Sequence, residues 1–216
     1  MAGSVLLIRK EILKIWKKYK RGYPWRRNPD PYRIMVAEFM FQRTKADQVE
    51  QVYNIFFSSF KTPYDVAKAN MKKLNRILYP IGLRWRIKKF KQVSESIINN
   101  FNGKIPDSRE DILKLPGVGD YVAGIVLSVA FGKKEWIVDS NVVRIFKRYF
   151  GIPTSKEGRR DRHVIEIAKK YVSCKCPGNA NLSLLDFSAL ICSPRVPKHE
   201  QCPLRRKCRF LLNPQE

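Results

Sequence analysis

Leu113-Lys114-Leu115-Pro116-Gly117-Val118-Gly119-Asp120-Tyr121-Val122-Ala123 is the most informative stretch of the chain. A short helix runs into Pro116-Gly117-Val118-Gly119, and an apolar helix leaves it. The glycines permit a tight turn and leave bare backbone amides at a helix start, where aligned N–H groups can grip a phosphate. The same letters also suit a turn that merely reverses a helical hairpin, because short glycine motifs recur often by chance. The residues on either side have to separate the two readings.

Charge is the first of them. The chain has 216 residues with 43 Lys plus Arg against 19 Asp plus Glu, a formal net charge of +24. With 44% hydrophobic and 12% aromatic residues it has too much core-forming material for a disordered basic tail, so the charge must coat a packed body. Such a body needs a polyanion, either nucleic acid or an acidic membrane surface. The membrane fares badly. The longest apolar stretch, Tyr121 to Gly132, is interrupted by Ser128 and falls short of the roughly 18 residues of a spanning helix. At the N-terminus Val5-Leu6-Leu7-Ile8 gives way at once to Arg9, Lys10 and Glu11, so the apolar core of a signal peptide is missing. The expectation is a cytoplasmic, chromosome-associated protein whose cysteines are reduced or metal-bound.

Helical spacing dominates the rest. Ile8, Ile12, Ile15, Trp16 and Tyr19 line one face of a helix whose other face carries Arg9, Lys10, Lys14, Lys17 and Lys18. Tyr23-Pro24-Trp25 ends it, and Asp30-Pro31 reads as an N-cap and first-turn proline opening a helix from Tyr32 to about Gln42. Further helices are predicted near 45–59, 71–79, 86–100, 108–114, 120–131, 140–150, 161–172 and 181–191. Breaks are expected at Thr62-Pro63, Pro80-Ile81-Gly82, Asn102-Gly103, Gly132, Gly151-Ile152-Pro153 and Pro177-Gly178. No stretch alternates with period two, so the predicted class is all-α.

Past the hairpin come Trp136-Ile137-Val138-Asp139-Ser140-Asn141-Val142-Val143-Arg144 and then a compact group of cysteines. This order resembles the helix-hairpin-helix superfamily of base-excision DNA glycosylases, the endonuclease III/MutY superfamily. The likeness spans nearly the whole chain, through Tyr23-Pro24-Trp25-Arg26, Asp30-Pro31-Tyr32, Ala37-Glu38-Phe39-Met40-Phe41-Gln42-Arg43-Thr44, Ile81-Gly82-Leu83, the hairpin, Val138-Asp139-Ser140-Asn141 and Leu185-Asp186-Phe187-Ser188-Ala189. It is similar above all to the thermophile mismatch branch typified by Mig, notably through Arg144 to Gly151. The resemblance implies two helical domains flanking a DNA groove. One is a six-helix-barrel-like domain over 26–134 with the hairpin; the other is a composite of 1–25 and 135–216 with the catalytic Asp and a cluster loop.

Breaking an N-glycosidic bond makes the sugar cationic and the base anionic, so one carboxylate near the sugar and one proton donor near the base both help. A duplex hides these atoms, and the nucleotide must be flipped out and its place filled. Asp139 ends an apolar run at a helix start, which alone reads as an N-cap; the resemblance makes it the catalytic carboxylate, and the two roles are compatible. Glu38 lies among Ile34, Met35, Val36, Ala37, Phe39, Met40 and Phe41, an environment that desolvates a carboxylate and raises its pKa, unless it occupies a solvated stripe of the helix. The MutY and Mig branches both carry a Glu at the matching place, and in the MutY branch it protonates the departing base, a role that the resemblance offers to Glu38. Tyr121 stands where bifunctional relatives carry a Schiff-base lysine. A phenol cannot do that chemistry, so the resemblance implies a monofunctional enzyme.

Gln42 matches the residue pushed into the helix gap, with Arg43 beside it. Arg84-Trp85-Arg86-Ile87-Lys88-Lys89-Phe90-Lys91 mixes positive charge with two aromatics, a pattern for backbone contact and stacking, although Trp85 suits a core equally well. Gly117 and Gly119 are expected phosphate contacts, and Arg144 joins the expected DNA-binding set. Asp120 departs from the family, which is often basic there; it suits the helix dipole but weakens a nearby phosphate contact.

At the end stands Cys192-x6-His199-x2-Cys202-x5-Cys208. Relatives hold a 4Fe-4S cluster on four cysteines at this spacing. Here His199 replaces the second. His can ligate iron, as in Rieske centres, and also completes a Cys3His zinc site; a three-cysteine cluster with His199 idle or with Cys174 or Cys176 recruited, or no metal, also fits the letters. The spacing favours a 4Fe-4S cluster with a His ligand, zinc being the alternative. The expected function is monofunctional removal of a mismatched base, thymine or uracil opposite guanine, by a monomer acting on double-stranded DNA with a mismatch or damaged base. A MutY-like adenine glycosylase and a non-catalytic helix-hairpin-helix binder are the alternatives.

Overall fold

The computed structural model describes residues 2–42, 44–82 and 85–212, without the side chains of Ala2, Trp85 and Arg86. Arg43, Arg84 and the Trp85 side chain, all read above as DNA contacts, lie outside the described residues. Among the described residues every regular element is helical, thirteen α-helices and three short 3-10 turns, with no strand, which is the expected all-α class. None of these helices is long and apolar enough to cross a membrane.

The chain divides into two compact units. Helix α1 (Ala2–Tyr19) belongs to the discontinuous one, Met1–Arg21 with Gly132–Glu216. The continuous unit, Gly22–Phe131, holds α2 (Pro24–Arg27), α3 (Pro31–Phe41), α4 (Ala46–Ser59), α5 (Pro63–Lys68), α6 (Met71–Leu78), α7 (Trp85–Phe101), α8 (Arg109–Ile112) and α9 (Asp120–Val129). Its centre is α3. Asp30 caps that helix by accepting the Arg33 N–H at 2.8 Å, with Pro31 at the first position. Every residue from Ile34 to Met40 is buried, as suits a helix apolar on all sides that packs against α2, α4, α7 and α9. Trp25, Phe41, Tyr53 and Phe57 form a chain of ring contacts beside it, with centroids 4.6 to 5.3 Å apart.

Thr62-Pro63 lies in the expected break after α4 and also starts a helix that the spacing did not predict. The Thr62 hydroxyl accepts the Asp65 N–H, and the Asp65 carboxylate accepts the Thr62 N–H at 2.8 Å, a complete capping box that opens α5. Proline lacks only an N–H that a first turn does not use, so it begins helices as readily as it ends them. Pro177 repeats the lesson, because the helix predicted over 181–191 starts there.

The discontinuous unit also contains α10 (Ser140–Phe150), α11 (Arg162–Val172), α12 (Pro177–Leu190) and α13 (Arg209–Leu212). Ile8, Ile12 and Trp16 bury the apolar face of α1 against α11 and α12, as the spacing predicts. Arg9 crosses to the C-terminal end of α11 and donates to the carbonyls of Tyr171 and Ser173 at 3.0 and 2.8 Å, where the helix dipole favours a cation. Asp186, only 1% exposed, ties α12 to α1 by accepting from Trp16 Nε1 at 2.7 Å and from Arg21 Nε at 2.5 Å.

Replacing Asp186 by Ala removes the acceptor of both donors. Breaking a buried pair costs about 3 to 5 kcal/mol, and the partial exposure of Arg21 brings the expected loss to about 2 to 3 kcal/mol. Urea unfolding of Asp186→Ala against the wild type measures it directly.

Candidate functional site

In the continuous unit, α8 and α9 are joined through the Pro116-Gly117-Val118-Gly119 turn. Ser108 caps α8 by accepting the Asp111 N–H at 3.1 Å, and the Val118 N–H closes onto the Leu115 carbonyl at 3.1 Å. Gly117 has φ +81°, a region that side chains disfavour, and a Cβ there would come within 3.2 Å of Lys89 Cδ. Both glycines are exposed, and Gly119 opens α9 without a side-chain cap. The hairpin read from the sequence is thus present, with exposed backbone at the head of an apolar helix. Asp120 is engaged by Arg109 at 2.8 Å, so its negative charge is already paired beside the turn.

Glu38 is 8% exposed, one of few buried charged residues among those described, and does not lie on a solvated stripe of α3. Gln42 is half-buried where α3 ends, and Tyr121 is half-buried in the first turn of α9. Helices α3 and α9 pack on one another, so this unit carries Glu38 and Tyr121 on adjoining helices.

Asp139 stands in the discontinuous unit as the N-cap of α10, half-buried and with extended backbone. Its Oδ1 accepts the N–H groups of Asn141 at 3.0 Å and Val142 at 2.8 Å, while Oδ2 accepts the Asn141 side-chain amide at 2.7 Å. Three charge-assisted bonds hold the carboxylate in one orientation. Behind α10, Gly158 is buried at φ +64°, and a Cβ there would lie 2.6 Å from Val143 Cγ1. The loop can therefore seat against this helix only as glycine.

A relay runs on from the carboxylate. Arg144 donates to Asn141 Oδ1 at 2.9 Å, to the Cys192 carbonyl at 3.0 Å and to the Ser188 carbonyl at 3.0 Å. The expected DNA contact thus directs its guanidinium to acceptors inside its own unit. The physical reason is the C-terminal end of α12, whose last carbonyls attract a cation. Burial pulls the Arg144 guanidinium below its ordinary pKa, with neighbouring groups opposing that fall in part. The bridging role of Asn141 was missed in the sequence, although the i, i+3 spacing from Asn141 to Arg144 was a usable signal.

Arg148, one turn further along α10, donates to the carbonyls of Ser193 at 2.7 Å and Pro194 at 2.8 Å and lies over the Phe210 ring. Its own carbonyl accepts from the Cys208 thiol at 3.4 Å. Burial pushes the Cys202 thiol up to about 11 and raises that of Cys208, with Cys192 adding to both. His199 is half-buried with its ring 6.1 Å from that of Phe210. Among the described residues no three His, Cys, Asp or Glu side chains close around a common point. Three half-buried thiols on one loop suit a thiophilic metal group, whose positive charge would offset the cost of deprotonating them. Cys174 is half-buried and Cys176 exposed, both at the α11–α12 junction.

The chain is 37% identical, over 92% of its length and 90% of the relative's, to a thymine/uracil-DNA glycosylase of Methanothermobacter thermautotrophicus. A solved thermostable thymine-DNA glycosylase superposes with a TM-score of 0.92 at 35% identity, covering 96% of each chain. An endonuclease III trapped as a covalent intermediate on DNA has the same fold, with a TM-score of 0.82 at 24% identity over 100% of this chain and 99% of that one. Residues 36–174 match the HhH-GPD superfamily of base excision DNA repair proteins. With the hairpin, the capping carboxylate and these likenesses together, the chain belongs to the HhH-GPD superfamily of base excision DNA repair proteins.

Proposed function

We propose that the protein is a monofunctional DNA glycosylase that removes thymine or uracil opposite guanine from duplex DNA. The observation that carries the reading is Asp139, a carboxylate fixed by three hydrogen bonds at the start of α10. Placed against a deoxyribose, it stabilises the cation that forms as the C1′–N bond breaks, and it orients the water whose oxygen bonds to C1′. The water's proton passes to the carboxylate or to solvent. The base leaves as an anion or takes a proton from a neighbouring acid, a role that suits buried Glu38.

Tyr121 supports hydrolysis over lyase chemistry, because a phenol offers no amine for a Schiff base. Gln42 fills the gap left by the flipped nucleotide, and the exposed amides at Gly117 and Gly119 hold a phosphate. The names of the relatives support the choice of pyrimidine. Cys192, Cys202 and Cys208 with His199 would hold a 4Fe-4S cluster, zinc being the alternative. When bound, that group supplies a rigid cross-link to the basic loop containing Arg195, Lys198, Arg205, Arg206, Lys207 and Arg209.

Labelled duplexes carrying G:T, G:U, A:G and A:8-oxoguanine, each developed with and without alkali, test the activity. The expected result is strand cleavage of G:T and G:U after alkali only. Cleavage without alkali contradicts the monofunctional reading, cleavage of the adenine duplexes alone makes the enzyme MutY-like, and no cleavage of any duplex leaves a DNA binder.

Arg144→Ala should slow single-turnover base release about tenfold or more, because small misplacements of a catalytic group are costly. Duplex affinity and its salt dependence should hardly move; a phosphate contact would instead lose affinity and flatten the salt slope. For the metal, elemental analysis of brown purified protein should give about four iron atoms per chain, whereas a colourless protein with about one zinc supports the alternative.

A further inference from the structure

Helix α3 stops at Gln42, and α4 restarts at Ala46, so Gln42 is presented on a short loop. A second turn, Tyr79–Ile81, ends at Gly82 with φ +69° and leads toward the basic, aromatic segment that begins at Arg84. The Thr44 hydroxyl sits between these two loops. It lies 3.2 Å from the Ile81 carbonyl and 3.4 Å from the Gln42 carbonyl, with a single proton to donate. From the first turn of α4, the Gln48 side-chain amide donates to the neighbouring Pro80 carbonyl. Two side chains from one part of the chain thus supply donors to consecutive carbonyls of the other. The loop carrying Thr44 is itself turned by the Thr44 N–H on the Phe41 carbonyl at 3.1 Å, and the second turn is closed by the Gly82 N–H on the Tyr79 carbonyl at 3.0 Å.

We propose that Thr44 and Gln48 are positioning residues that lock the Gln42 loop and the Tyr79–Gly82 turn into one rigid element for opening the base stack. This rests on the glycosylase reading, in which Gln42 enters the gap of a flipped nucleotide. Filling a gap with a mobile loop forfeits the entropy of ordering it at the moment of insertion, whereas a braced loop has lost that freedom on folding. Neither side chain need touch DNA for this, because both act through carbonyls of the opposite loop. The brace also makes the two loops move together.

The test combines two readouts on full-length protein. Amide hydrogen exchange of the free protein reports the brace itself, and 2-aminopurine placed beside a G:T mismatch reports stack opening on binding. Thr44→Val removes the hydroxyl at nearly constant shape. It is expected to speed exchange over Tyr79–Gly82, to lower the 2-aminopurine signal at saturation severalfold and to slow base release about tenfold, a loss of the size seen for misplaced groups. Gln48→Ala should do the same, and the double variant should fall short of the product of the two effects, because both act on one element. Thr44→Ser keeps the donor and should restore both signals.

Wild-type exchange and 2-aminopurine signal in Thr44→Val would overturn the brace. So would a loss that Thr44→Ser does not restore, or one matched by a fall in melting temperature. If the wild type opens no mismatch and releases no base, the glycosylase reading fails, while the exchange comparison still decides whether the two loops are joined.

Discussion

The Asp139 carboxylate accepts the N–H groups of Asn141 and Val142 and the side-chain amide of Asn141, and the discontinuous unit is arranged behind those three bonds. A cap of this kind does two things at once. It satisfies donors that begin α10, which the fold requires, and it holds a carboxylate in one direction, which suits glycosidic chemistry. Asn141 is the pivot. Its amide N–H donates to Asp139, and its carbonyl accepts from Arg144, whose remaining donors end on the last turn of α12 and on the Cys192 carbonyl. The orientation of one carboxylate therefore depends on how the cysteine loop sits against α10.

That dependence gives the cysteine loop a part in a hydrolysis that needs no electron transfer. Arg144 and Arg148 both reach from α10 to carbonyls at the start of the loop, between Ser188 and Pro194. A group held by Cys192, Cys202 and Cys208 would pin the far end of the same loop. Its contribution would be rigidity, delivered through backbone carbonyls. The basic residues of the loop gain by the same means, since a fixed set of charges meets a phosphate backbone with less entropy to lose.

Much of this was readable in the sequence because it is local. The hairpin announces itself through its Pro-Gly-Val-Gly letters, with Gly117 in a conformation that a side chain disfavours, and Asp139 through its place between an apolar run and a helix. The burial of Glu38 follows from apolar neighbours on both sides in sequence. What escaped depends on residues distant in the chain. The inward turn of Arg144 is dictated by the end of α12, and the contact of Thr44 with Ile81 by the packing of α4 against the turn before Gly82. The breaks at Pro63 and Pro177 are where they were expected, but the short helix α5 and the first residues of α12 were missed, because a proline marks a helix boundary without saying which one. The net charge of +24 pointed to a polyanion and said nothing of the few uncharged or acidic side chains on which selection of a base depends.

Under the proposed function, the carboxylate that caps α10 is also the one that drives base release. Asp139→Asn separates the two roles, because Asn caps a helix about as well as Asp while offering no charge to a cationic sugar. The decisive measurement is the single-turnover rate on a G:T duplex together with the melting temperature of the same variant. A melting temperature within a few degrees of the wild type with base release slowed about a hundredfold or more is the predicted result. A variant that folds normally and still releases thymine at close to the wild-type rate would contradict it.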